Sequence, residues 1–139
     1  MHMTFKNIKD LDPRKSKSLG RVGLKMFFKL AELWGLDENE QLKLLGLSSR
    51  TTLAKWKSKA ASNEDIMLPL ETIERLSLIA GIQKSVELMF PKDRRVNYMR
   101  ARNTSFNGDS ILEVMLAGGV ADLYTVRRHL DASRQTHYL

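Results

Sequence analysis

Six polar residues in the stretch Ser49-Arg50-Thr51-Thr52-Leu53-Ala54-Lys55-Trp56-Lys57 hold the chemistry with the clearest direction in this chain. Ser49, Arg50, Thr51 and Thr52 would form the first turn of a short helix. That turn is where base contacts concentrate when a recognition helix enters a DNA major groove. Arg50 can grip a guanine through two hydrogen bonds, and Lys55, Lys57 and Lys59 suit phosphates. Leu53 and Trp56, three apart, would turn the other way and anchor the helix, so Trp56 reads as core and not as a stacking platform. Two short helices around a glycine turn also occur in bundles with no nucleic-acid partner. The polarity of the second helix favours DNA.

A second cluster, Tyr124, Arg127, Arg128, Asp131 and Arg134, lies near the end of the chain. Tyr124 and Arg128 are four apart and can share a helix face. Tyr and Arg are favoured anchors of protein interfaces, although a solvated basic face is the commoner setting for such charges. Catalytic sets are missing by contrast. His2, His129 and His137 have no ligand-like spacing, and a metal site needs several converging donors. No phosphate loop occurs, and Gly118-Gly119 reads as a helix end. Glu38 and Glu40 are two apart, do not share a helix face, and read as charges complementing a helix N-terminus. We expect no enzymatic activity, no metal and no cofactor.

The elements that must position these residues are all helical. Leu24, Phe27, Phe28, Ala31 and Trp34 recur at helical spacing up to Gly35. Asp37 and Glu40 form a capping box for a short helix that stops at Gly46, and Ser48 or Ser49 can cap the next one. Together these make a helix-turn-helix. Residues 58–65 look turn-like, and Pro69 opens a helix through Ile73, Leu76, Ile79 and Ala80, where Gly81 could bend the run or pack closely. A short helix over residues 92–100 and a loop with Asn107-Gly108 follow. Ser110 and Glu113 make a second capping box, and a last helix runs from Val120 towards Ala132, ahead of a tail. No stretch alternates apolar and polar residues, so the expected fold class is all-α. Three parts are expected: a flexible basic arm over 1–20, a helix-turn-helix domain over 21–68, and a small helical domain over 69–139.

Charge supports this division. The net charge is +7 over 139 residues, and residues 1–30 carry eight Lys/Arg against Asp10 and Asp12. Such a segment is drawn to phosphates and releases counterions on binding. Cysteine is absent, which removes disulfides and a thiolate nucleophile. No apolar run is long enough to span a bilayer, and no signal peptide is evident, so a cytoplasmic protein without membrane contact is expected.

These residues resemble a known family. Ala31-Glu32-Leu33-Trp34-Gly35-Leu36, Leu44-Leu45-Gly46-Leu47-Ser48 and Thr52-Leu53-Ala54-Lys55-Trp56-Lys57 are similar to the Xre-like helix-turn-helix of antitoxins. Glu74-Arg75-Leu76-Ser77-Leu78-Ile79-Ala80-Gly81-Ile82 resembles the segment joining it to the Xre/MbcA/ParS-type toxin-binding domain. Asn103-Thr104-Ser105-Phe106-Asn107-Gly108-Asp109-Ser110, Met115-Leu116-Ala117-Gly118-Gly119 and Val126-Arg127-Arg128-His129-Leu130-Asp131 resemble the loop and final helices of that domain. The likeness spans residues 22–134 in the family's order, with Ile111 where the family often has proline. It implies a type II toxin–antitoxin role, in which the chain binds and neutralises a RES-domain toxin that degrades NAD+. It also implies a homodimer that represses its own operon. Operator DNA would meet Ser49, Arg50, Thr51, Thr52, Lys55 and Lys57. The toxin would meet Tyr124, Arg127, Arg128, Asp131 and Arg134, where a basic helix and tail suit a cleft built for a phosphate-bearing nucleotide. A stand-alone dimeric regulator without a toxin, and an adaptor that has lost DNA affinity, are the alternatives.

Overall fold

The computed structural model describes residues 13–137. Seven helices follow in order: α1 Pro13–Trp34, α2 Glu38–Leu45, α3 Arg50–Ala61, α4 Leu70–Met89, α5 Lys92–Arg100, α6 Ile111–Met115 and α7 Val120–His137. A 3-10 turn, Thr104–Phe106, precedes α6. Among the described residues the one β feature is an isolated antiparallel bridge between Arg102 and Ser110. The fold is all-α, with the helix-turn-helix in its N-terminal part.

Local sequence chemistry sets most helix ends. Asp37 accepts from the Glu40 amide at 2.8 Å while the Glu40 side chain accepts from the Asp37 amide at 2.9 Å. Gly46 ends α2 in the left-handed region, at φ 69°, where a Cβ is strained. Ser49, not Ser48, caps α3 by accepting from Thr52 N at 3.2 Å. Ser110 and Glu113 form the second reciprocal box. Asn107 (φ 56°) and Gly108 (φ 92°) make the left-handed turn before it.

α4 is the central helix. It packs against α7, α1 and α2. Ile73, Leu76, Ile79, Ile82 and Val86 are fully buried, and so are Leu24 of α1 and Leu123, Val126 and Leu130 of α7. Each such side chain contributes about 1.5–3 kcal/mol by leaving water. One core therefore joins the front helices to the rear ones, and residue 68 marks a turn between them more than a gap.

Two expectations change, and one open alternative is decided. The arm expected to reach residue 20 gives way to helix at Pro13, and residues 1–12 lie outside the described residues. Proline is favoured in the first turn of a helix. Tertiary contact then extends α1: the Ile66 amide donates to Lys17 O at 3.3 Å, and Gly20 packs directly against the Ile66 carbonyl. At Gly81 close packing holds and not a bend, for α4 is continuous. Its missing Cβ leaves the space that the Arg127 guanidinium of α7 occupies. The tail expected after Ala132 is helical through His137.

Candidate nucleic-acid interface

α3 is amphipathic in the way a docked helix must be. Leu53, Trp56 and Ala60 are buried and hold it on the core. At about 100° per residue, Thr51, Lys55 and Ser58 fall on the opposite face. All three are exposed, as is Ala54 beside them. Arg50 and Lys57 are exposed on one flank, whereas Thr52 is half-buried on the other. The six sequence-selected residues thus divide. Ser49 serves the backbone as a cap, Thr51 and Lys55 face outward, Arg50 and Lys57 edge the face, and Thr52 is the least open to a partner.

Arg50 is not idle. Its Nε lies 3.4 Å from Glu38 Oε1, and its Nη2 donates to Asn39 Oδ1 at 3.3 Å. Both members of the ion pair are more than half exposed, so it adds little stability. It does place the guanidinium beside the N-terminus of α2, the helix that crosses the DNA backbone in this motif. By its sequence Glu38 is only a charge complementing a helix dipole, and Asn39 has no evident role. No spacing rule links residues eleven apart on two helices.

Two further arginines, absent from the sequence-selected sites, hold the motif in place. Arg75 of α4 is 6% exposed. It donates to Lys43 O (3.4 Å) and Leu44 O (3.3 Å) at the end of α2, and to Gly118 O (2.8 Å) before α7. Arg100 of α5 donates to Trp34 O at 2.9 Å and Gly35 O at 3.1 Å. Arg100 thus meets carbonyls at the end of α1, and Arg75 links the end of α2 to the loop before α7. The rear helices therefore brace the front ones through arginine–carbonyl contacts.

The rear cluster is more internally engaged than its sequence suggests. Arg127 is half-buried over Gly81, and its Nε donates to Asp131 at 3.2 and 3.3 Å. Asp131 also faces Ser85 at 3.5 Å and Arg134 at 3.9 Å. Tyr124 donates to Glu74 Oε2 at 3.0 Å. That hydrogen bond, with smaller desolvation and charge effects, raises the phenol above its ordinary value. Arg128 is exposed. His129 packs on Phe106 with ring centroids 4.8 Å apart, and burial lowers its imidazole. Among the described residues no group of three or more His, Cys, Asp or Glu could hold a metal ion, and no helix is long and apolar enough to cross a membrane.

Comparison with known proteins agrees with this geometry. The chain is 41% identical over 112 residues to uncharacterized protein y4oB of Sinorhizobium fredii (strain NBRC 101917 / NGR234). That alignment covers 80% of this chain and 83% of the relative. No solved structure matches. Residues 13–81 match the antitoxin Xre-like helix-turn-helix domain, from the first residue of α1 into α4. With α2, the Gly46 turn and α3 in place, this part of the chain is a helix-turn-helix domain of the antitoxin Xre-like family.

Proposed function

We propose that this chain is the antitoxin of a type II module. It neutralises a RES-domain, NAD+-degrading toxin and, as a cytoplasmic homodimer, binds its own operator. The observation that carries the DNA half is the exposed polar face of α3 on a buried Leu53–Trp56–Ala60 seam. Thr51, Arg50 and Lys55 are the base- and phosphate-contacting side chains, and Ser49 presents them by capping the helix. A two-fold dimer sets two such helices about one helical turn of DNA, or a multiple, apart. The chain itself performs no catalysis and holds no cofactor.

For the toxin half, Arg128 is the open cation of α7, and Tyr124, Arg127, Asp131 and Arg134 form the hydrogen-bonded surface around it. Co-expression of this chain with its neighbouring gene tests the reading. One stoichiometric partner should co-purify, and growth should be restored in cells that the partner alone arrests. Arg128→Glu should weaken rescue. Intact rescue by the Arg127→Ala, Arg128→Ala double variant would remove α7 as the inhibitory surface. A stand-alone regulator is the second reading. The engagement of Arg127, Asp131 and Tyr124 within the chain favours it, and absence of any co-purifying partner would select it.

A further inference from the structure

A groove of about 650 Å³ runs along α1 where it meets the C-terminal half of α4. Val22, Met26, Leu30 and Leu33 follow one another along α1 at spacings of four, four and three, and Ala80 of α4 completes the apolar floor. Leu33 is 45% exposed and continues this stripe, unlike a solitary surface leucine. The rim is cationic. Arg21, Lys25 and Lys29 recur every fourth residue on α1, and Lys84 stands on α4. Glu87 is the one acidic residue in the lining. Arg21 pairs with Asp65 at 3.0 Å and Lys25 donates to Asn63 at 2.9 Å, which fixes one end of the groove.

We propose that this groove docks an acidic amphipathic helix of a protein partner. Its apolar side chains would enter between α1 and α4, and its carboxylates would meet Lys25, Lys29 and Lys84. Length supports a helix: from Arg21 to Leu33, α1 advances about 18 Å, roughly three turns. An apolar floor between two helices is the receptor for anchors spaced three and four apart. Charge selects the partner's sign. A second copy of this chain docking by the same groove would set lysine against lysine, which opposes association. Nucleic acid would use the rim but leave Met26 and Leu33 unmatched, and no lining residue belongs to α3. The proposal does not depend on the identity of any toxin.

The probe is a fluorescein-labelled helical peptide of about 14 residues, leucine on one face and glutamate on the other. Two comparators carry lysine for glutamate, or the same residues in alternating order. Titration into the full chain is read by anisotropy and by amide chemical shifts. The glutamate helix should bind saturably and shift amides of residues 21–33 and 80–87. The comparators should bind at least about tenfold more weakly. Leu33→Ser, and Lys29→Glu with Lys84→Glu, should each weaken binding about tenfold while leaving the thermal melt unchanged, because Lys29, Leu33 and Lys84 are exposed. Absent saturation, equal binding by the alternating peptide, or indifference to the charge reversals overturns the proposal. So does concentration-dependent self-association that shifts the same amides, or a DNA duplex that displaces the peptide.

Discussion

Replacing Arg75 with methionine should cost about 3 kcal/mol and loosen the recognition motif from behind. Methionine keeps much of the buried stem's volume, so the test isolates the guanidinium. Lys43 O retains the Gly46 amide at 3.2 Å, so its loss is small. Leu44 O loses an arginine donor at 3.3 Å and Gly118 O one at 2.8 Å. Leu44 O is buried and left without a donor, which costs about 1–3 kcal/mol, whereas Gly118 O is partly buried and water replaces part of its loss. The Glu71 contact at 3.2 Å adds little, because Glu71 is 64% exposed. One contribution opposes these. Arg75 Nε is buried without a hydrogen-bond partner, and removing it relieves that desolvation. The balance is about 3 kcal/mol, or a melting decrease of about 10 °C for a chain of this size. Urea unfolding followed by circular dichroism measures it, with the slope required to stay constant. Hydrogen exchange should rise at the end of α2 and around Gly118 before it rises elsewhere. Arg75→Lys should fall between the two, since one ammonium cannot span carbonyls on two segments as the planar fork does. If Arg75→Met lies within about 0.5 kcal/mol of the unaltered chain, the arginine brace has no energetic weight.

Gly81 and Arg127 should couple. Gly81→Ala supplies about 1 kcal/mol of helix propensity but unseats the Arg127 guanidinium. It should therefore stabilise an Arg127→Ala background more than the unaltered chain, and a double-mutant cycle in urea without coupling would contradict the packing. Arg50→Ala should weaken operator binding by about 1–3 kcal/mol and relax specificity, whereas Lys55→Ala should weaken all sequences alike and flatten the salt dependence. Footprinting or anisotropy at two salt concentrations separates these outcomes. Ser49→Ala removes the α3 cap and should cost about 1 kcal/mol, seen in the melt before any effect on DNA is interpreted. Burial lowers His129 from 6.5, so the folded chain favours the neutral ring. Stability from this residue is complete above the unfolded value. It declines as pH falls below 6.5, because the unfolded state then binds the proton first. His129→Leu should reduce the drop in urea midpoint between neutral and mildly acidic buffer.

The helices, their caps and their buried seams were legible in the residues. Asp37–Glu40, Ser110–Glu113, Gly46, and the Leu53–Trp56 pair all act within a few positions of one another. Periodicity and cap chemistry are local, so one sequence suffices to read them, and the family resemblance covered the same segments. The arm boundary differs because the residues before Val22 lack a sustained apolar period, and their helix rests on Ile66 meeting Lys17 and Gly20. At Gly81 the residues leave bending and close packing both open, and the Arg127 guanidinium above it decides for packing. What only the tertiary structure decided is which arginines face solvent and which hold the fold. Arg75 reaches Lys43 and Gly118, Arg100 reaches Trp34, and Arg127 fills the space above Gly81. An arginine has a long stem and a five-donor fork, so its partner is set by whichever carbonyl the packed chain brings within reach. No periodicity along the chain encodes that distance.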